Sequence, residues 1–141
     1  MLAASVYIVS EDRYVDFLPG NADQLIAILS NASEIVSFYG KSFDIPVLRQ
    51  HYGLEGEIPR QGIHSDMAEI ISELTGYSPK LDAAAQKYLG ERSPSLPEIR
   101  QALGMEHDPV NRKDFLFKCH EDIRQTAGLW RLWKSGRLND A

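Results

Sequence analysis

The stretch that decides the fold is Ile35-Val36-Ser37-Phe38-Tyr39-Gly40-Lys41-Ser42-Phe43-Asp44-Ile45-Pro46-Val47-Leu48. Its opening residues favour extended backbone, which predicts a short buried strand over residues 34–38. The Tyr-Gly pair that follows ends this strand. A helix is predicted over residues 43–52, because Pro46 fits the first turn of a helix, where its missing N–H is not needed. A buried strand that leads directly into a helix is typical of an α/β domain.

The flanking sequence extends this pattern in both directions. Upstream, β-forming residues on either side of Ser10-Glu11-Asp12 predict a hairpin, and Asn21 is placed to cap the next helix. Strands are predicted over residues 2–10, 13–18, 34–38 and 62–66, and helices over residues 22–29, 43–52, 67–74, 80–89, 97–104 and 111–135. The order ββαβαβ followed by helices predicts one α/β domain over residues 1–141, with a mixed sheet covered by helices.

Composition narrows the class of protein. A chain of 141 residues that is 43% apolar can build one hydrophobic core. The formal charge of −5 argues against a general nucleic-acid coat, so a nucleic-acid partner would need a local basic track. The single cysteine, Cys119, and an N-terminal apolar run too short to span a bilayer predict a cytoplasmic protein with no membrane partner.

Three aspartates lie where they could carry chemistry. Asp44 and Asp66 each follow a predicted strand and precede a predicted helix, where open α/β sheets place their sites. Asp122 falls on the inward stripe of the last helix, where an unpaired carboxylate is costly to bury. The structural alternatives are a helix cap or dipole partner for Asp44 and Asp66, and an ion pair with a neighbouring Arg or a water-filled notch at the sheet edge for Asp122. The three carboxylates together would suit a hard divalent cation such as Mg²⁺.

Three segments in order along the chain resemble a known family. The stretch over residues 35–48 resembles the second motif of the ribonuclease H-like DEDD 3′–5′ exonucleases, in the branch related to the exonuclease domain of family B DNA polymerases. The segment that begins His64-Ser65-Asp66-Met67 is similar to the middle region of that branch. Cys119-His120-Glu121-Asp122-Ile123-Arg124-Gln125-Thr126 resembles its third motif. The resemblance extends from the first hairpin to the final helix.

This resemblance implies a metal-dependent phosphodiester hydrolase. The family uses two divalent ions, Mg²⁺ or Mn²⁺, that flank the scissile phosphate at the 3′ end of single-stranded DNA or RNA. Asp122 would be a catalytic ligand of the metal on the nucleophile side, and Asp44 would help to hold the other metal. Asp66 lies outside the family's four acids and is expected to be a supporting carboxylate.

The chain departs from the family pattern at three places. Tyr39 stands where the second motif usually has Asn, and Lys118 and Phe117 stand where the third motif has the Tyr or His that orients the attacking water. His120 is predicted to face solvent instead. The first motif, Asp-x-Glu on a strand before the hairpin, has no counterpart. The domain is therefore expected to lack its first strand, to be impaired as an enzyme, and to self-associate through a strand edge or close its hairpin onto the strand at 34–38.

Residues that could contact nucleic acid surround the second and third motifs. Lys41, Phe43 and Arg124 are the candidates, through phosphate contacts or base stacking. The structural alternatives are a core aromatic for Phe43 and a solvated helix flank that pairs with Glu121 for Arg124. Three functions follow from the sequence: an exonuclease-like domain, a non-catalytic binding or scaffold module of the same fold, and an α/β interaction domain unrelated to nucleic acid.

Overall fold

The computed structural model describes residues 4–92, 94–105, 107–109 and 112–138. Within these ranges the chain forms four strands and six α-helices, together with short 3₁₀ turns and two π-helical turns. The strands are β1 (Ala4–Ile8), β2 (Arg13–Phe17), β3 (Glu34–Ser37) and β4 (Ile63–Asp66). The helices are α1 (Ala22–Asn31), α2 (Ile45–Tyr52), α3 (Met67–Thr75), α4 (Leu81–Ala84), α5 (Leu96–Ala102) and α6 (Arg112–Lys134). The predicted order of elements is confirmed. Leu2 and Asn111, predicted to lie in the first strand and at the start of the last helix, are outside the described residues.

The strands form two small sheets. β1 and β2 make the predicted antiparallel hairpin, with Val6 opposite Val15. β3 and β4 are parallel, with Ser37 opposite Asp66. Among the described residues no ladder joins the two sheets. The predicted combination of antiparallel and parallel strands is therefore present, but as two separate pairs of strands. The predicted closure of the hairpin onto β3 does not occur in the described part of the chain.

Two helical segments are wound more loosely than the sequence pattern indicates. A π-helical turn, Gly40–Asp44, precedes α2, and another, Ala85–Leu89, continues α4. The helix predicted from residue 43 therefore takes α-helical form only at Ile45, with Pro46 in its first turn as expected. π-turns are rare and are found frequently at functional sites. The first of them presents Asp44.

The core lies where α3, α4 and α6 meet one face of β3. Its fully buried members are Met67, Ile71, Ala84, Leu129 and Leu138, with Val36, Trp130 and Trp133 among the side chains around it. Leu129 and Ala84 lie on the faces that helical spacing predicts to be inward. None of the helices in the described ranges is long and apolar enough to cross a membrane.

A polar anchor ties both strands of the parallel pair to the last helix. Glu34 on β3 accepts hydrogen bonds from the Ser65 hydroxyl of β4 at 2.6 Å and from the Trp130 indole of α6 at 3.2 Å. Lys134 lies 4.0 Å from the other carboxylate oxygen. Because this carboxylate of β3 contacts both β4 and α6, it fixes α6 against the sheet.

Candidate functional site

Asp66 organises the carboxyl ends of the parallel strands. Its side chain is almost fully buried and accepts hydrogen bonds from the backbone N–H groups of Tyr39 at 2.8 Å, Lys41 at 3.2 Å and Ala68 at 3.1 Å. The last of these bonds caps α3. Both carboxylate oxygens are therefore engaged by the protein's own backbone. In this geometry Asp66 holds the start of the π-turn against β4, and its role as a supporting carboxylate of a catalytic site stays a prediction.

Tyr39 adopts a left-handed backbone, with φ of 67°. For a residue other than glycine this conformation costs about 1–3 kcal/mol and persists only where surrounding bonds enforce it. Here the N–H bond to Asp66 and a bond from the Tyr39 hydroxyl to the Pro79 carbonyl at 2.5 Å enforce it. Tyr39 therefore has a structural role at the start of the π-helical turn that ends at Asp44.

Asp44 is the carboxylate at this end of the sheet that the protein leaves free. The residue is exposed, and its side chain makes no hydrogen bond or ion pair to the described residues. Surrounding protein atoms reduce its hydration and raise the pKa of Asp44 above its ordinary value, and the negative charge of Asp66 acts in the same direction. A carboxylate held at the end of a strand with a raised pKa is a candidate for function.

Asp122 is not buried, in contrast to the prediction from helix spacing. Its side chain is 41% exposed and forms an ion pair with Lys118 at 3.0 Å, one turn earlier on α6. The expected inward stripe therefore holds at Thr126 and Leu129, which are buried, but not at Asp122, whose side chain lies beside Lys118. Of the structural alternatives, the ion pair is the one observed, and its partner is a lysine.

Cys119 on α6 is influenced by carboxylates from three parts of the chain. Burial raises the pKa of Cys119 and the charges of Asp122, Asp16 and Asp44 add to this effect, while Lys118 opposes it, and together they bring the pKa to about 11. These carboxylates must therefore lie close enough to Cys119 to interact with it electrostatically. The structure thus brings Asp44 and Asp122, predicted from distant segments, into one acidic region. Asp16, from β2, is a third member that sequence reasoning missed.

The acidic region does not amount to a two-metal centre. Within the described ranges no group of three or more His, Cys, Asp or Glu side chains is arranged to hold a metal ion. Asp66 is engaged by backbone donors, and the Lys118 ammonium occupies the position beside Asp122 that a cation would take. The described residues therefore do not fit the pair of Mg²⁺ or Mn²⁺ ions that the resemblance implies.

The three predicted nucleic-acid contacts differ in availability. Phe43 is 65% exposed beside Asp44, which fits a stacking surface better than a core position. Lys41 forms an exposed ion pair with Glu69 at 3.2 Å. Arg124 is paired with Glu91 at 2.9 Å and with Glu121 at 3.2 Å, so the alternative of a helix flank paired with its neighbours is the arrangement observed.

Two histidines make contacts that the sequence did not reveal. His64 lies 2.6 Å from the Ser37 hydroxyl across the parallel pair, and burial lowers the pKa of His64 below its ordinary value. His120 does not face solvent as predicted. It stacks on Tyr14 with ring centroids 4.3 Å apart and lies 2.7 Å from Asp16, so it joins α6 to the hairpin. The alternation of side chains along a strand places residues 64 and 66 on the same face, which is a signal that the sequence carries. The contact between residues 120 and 16 has no such local signal.

Comparison with known proteins gives one finding. The family model RNase_H_2, described as RNase_H superfamily, matches residues 10–107, which is more than two thirds of the chain. The matched segment runs from the hairpin through Asp44 and Asp66 and ends before α6. No curated protein and no solved structure matched the chain.

Proposed function

Because this chain belongs to the RNase H superfamily, we propose that it binds the 3′ end of single-stranded DNA or RNA in the manner of a DEDD-type 3′–5′ exonuclease. In this proposal Asp44 and Asp122 are the acidic residues of the binding site. Phe43 and Lys41, which are close to Asp44 in the chain, contact a base and a phosphate. The observation that carries this proposal is that the charges of Asp44 and Asp122, from segments far apart in the chain, both act on the Cys119 thiol. Exposed Phe43 beside Asp44 supports a single-stranded ligand, since unpaired bases stack on aromatic rings.

Hydrolysis by the described residues is expected to be weak. Members of this superfamily typically depend on divalent metal ions, whereas here Lys118 neutralises Asp122 at 3.0 Å. Lys118 also stands where the resemblance calls for the Tyr that orients water, and an ammonium ion has no lone pair with which to accept the proton of that water. The same side chain therefore opposes both cation binding and activation of the nucleophile.

This ion pair favours a second candidate function, a non-catalytic binding or scaffold module of the same fold. The two functions share the acidic region and the nucleic-acid contacts but differ in whether the strand is cut. In the scaffold function, the Lys118 ammonium takes the place of the metal ion beside Asp122, so the bound strand is not cut. In the exonuclease function, the ammonium lowers but does not abolish turnover.

One experiment separates these functions. A single-stranded oligonucleotide labelled at its 5′ end is incubated with the protein in Mg²⁺ or Mn²⁺, and binding and shortening are measured together. Shortening from the 3′ end that is lost in Asp44→Asn and Asp122→Asn, and kept in the exposed control Glu73→Gln, supports the exonuclease. Binding without shortening supports the scaffold module. Absence of binding to both DNA and RNA refutes both and leaves an interaction domain unrelated to nucleic acid.

A further inference from the structure

A groove runs along α2, the helix that directly follows Asp44 in the chain. Its volume is about 520 Å³, and it is lined by Lys41, Ile45, Pro46, Arg49, Gln50 and Leu54. The groove combines two cations and an amide with three apolar side chains. Two of the lining residues, Ile45 and Pro46, directly follow Asp44 in the chain.

Arg49 is the side chain that defines the charge of this groove. It is half-buried, and among the described residues no carboxylate pairs with it, although the protein carries a net charge of −5. Other arginines of α5 and α6, Arg100 and Arg124, are paired with carboxylates at 3.2 Å or less. Arg49 lies in the last turn of α2, where a cation complements the helix dipole. The Arg49 carbonyl already accepts the backbone N–H of Leu54 at 2.9 Å, so the guanidinium is not needed to cap this carbonyl. The guanidinium is therefore available to an anion from outside.

The position of Arg49 fits a strand that also reaches Asp44. A five-residue step on a helix corresponds to about 7.5 Å along the axis and about 140° around it, so a strand that contacts both residues crosses the helix obliquely. Stacked nucleotides advance about 3.4 Å per step, so, measured along the axis, a phosphate at Arg49 would lie about two nucleotides from one at Asp44. Among the lining residues the exposed Pro46 and the half-buried Leu54 suit contact with a sugar, and Arg49 and Gln50 can donate to phosphate oxygens.

We propose that the α2 groove binds the backbone of the single strand whose end lies at Asp44, with Arg49 as the phosphate-binding residue of a subsite about two nucleotides from the acidic region. This inference rests on the proposed function and deepens it, because it assigns a path to the strand and gives the site a length preference. Phosphate contacts fix the register of a strand without reading its sequence. The groove is therefore expected to accept DNA and RNA of any sequence.

The test measures binding of fluorescent single strands of two and of eight nucleotides, in EDTA so that no strand is cut. The variant Arg49→Gln is compared with Arg60→Gln, which removes an arginine from an exposed loop. For the longer strand, Arg49→Gln is expected to weaken affinity about three- to tenfold. It is also expected to lower the slope of log affinity against log salt by about 0.7, the value of one phosphate contact on a single strand. The two-nucleotide strand should lose less, and Arg60→Gln should match the wild type.

A second pair of variants guards against misfolding of Arg49→Gln. Gln50→Glu places a negative charge in the groove at an exposed position and should also weaken binding of the longer strand, whereas Gln101→Glu on the exposed face of α5 should not. If Arg49→Gln or Gln50→Glu binds the longer strand as tightly as the wild type does, the groove proposal is wrong. The proposed function then still stands. If the wild type binds neither strand in EDTA and also fails to bind in Mg²⁺, the proposed function fails and the groove fails with it.

Discussion

At the scale of single residues, the three aspartates that the sequence singles out have different surroundings in the folded chain. Asp66 accepts three backbone hydrogen bonds and is structural, whereas Asp44 carries no such bond and has a raised pKa. Asp122 is neutralised by a lysine one helical turn away. The difference lies in what each carboxylate finds within hydrogen-bond distance. Residue type and sequence position alone do not distinguish them.

We predict opposite effects on stability for two substitutions in this group. Asp66→Asn should lower the free energy of unfolding by about 1.5–3 kcal/mol, because an amide nitrogen cannot accept the N–H of Lys41. Asp44→Asn should leave stability unchanged or slightly higher at pH 7, because its raised pKa means that folding disfavours the ionised form that is removed. Urea unfolding of both variants tests this. A loss in Asp44→Asn equal to that in Asp66→Asn would contradict the division of roles.

A further residue-scale prediction concerns the lysine beside Asp122. Lys118→Met should raise the affinity for Mn²⁺ about two- to fivefold, because loss of a partly exposed ion pair worth about 0.5–1 kcal/mol frees the carboxylate for a cation. Calorimetry at constant ionic strength measures the change. Lys113→Met, at an exposed position on the same helix, removes the same charge without freeing Asp122. Equal gains in the two variants would mean that only net charge is being measured.

At the scale of elements, the site depends on how β3, β4 and α3 meet. The π-turn Gly40–Asp44 is closed by Asp66 at the start of α3, and Glu34 joins both strands to α6. β4 can pair with β3 only if the chain passes very close to the end of α1. Gly62 makes that approach possible, since a Cβ there would collide with the backbone carbonyls of Ala32 and Ser33.

Gly62→Ala is therefore expected to disturb the parallel pair. Because the obstructing atoms are backbone oxygens rather than flexible side chains, relief requires movement of β4, and we expect a loss of about 1–3 kcal/mol in the free energy of unfolding. Gly20→Ala is the matched control, since no atom lies within 4 Å of a Cβ at that position. Chemical unfolding compares the two variants. Gly62→Ala as stable as Gly20→Ala would show that the strands tolerate a wider separation.

At the scale of the whole molecule, the hairpin and the last helix are joined by contacts between residues 104 positions apart. His120 lies 2.7 Å from Asp16 and stacks on Tyr14, and Ser5 donates a second hydrogen bond to Asp16 at 2.7 Å. Loss of hydration alone would raise the pKa of Asp16. The hydrogen bonds from His120 and Ser5 together with the charge of His120 outweigh that effect, so the pKa of Asp16 lies below its ordinary value of 3.8.

This lowered pKa has a pH signature. A carboxylate with a lowered folded-state pKa contributes stability that is present above pH 3.8 and is lost as the pH falls through its folded value. Asp16→Asn should therefore reduce the free energy of unfolding by about 0.5–1 kcal/mol at pH 6, as for a partly exposed pair, and by less as the pH falls below 3.8. Thermal unfolding between pH 3 and pH 6 measures this, with Glu55→Gln in an exposed loop as the control. A deficit that stays constant down to pH 3 would rule out the titration of Asp16 as its cause.

The predicted self-association through a strand edge also belongs to this scale. β1 is paired with β2 alone among the described strands, so one of its edges has no ladder partner there. Unpaired strand edges are templates for pairing with another chain. Self-association through the hairpin edge stays a prediction. Sedimentation at several protein concentrations would test it by measuring the oligomeric state of the protein in solution.

The sequence by itself determined the order of elements, the strand ends at which Asp44 and Asp66 lie, and the first-turn position of Pro46. These features follow from local periodicity, from caps and from the fixed φ of proline, all of which act over a few residues. Only the tertiary structure decided that the two strand pairs stay apart, that Asp122 lies open beside Lys118, and that Asp16 and His120 join the hairpin to α6. Such contacts depend on which distant side chains the folded backbone brings within a few ångströms, and no spacing along the chain encodes that distance.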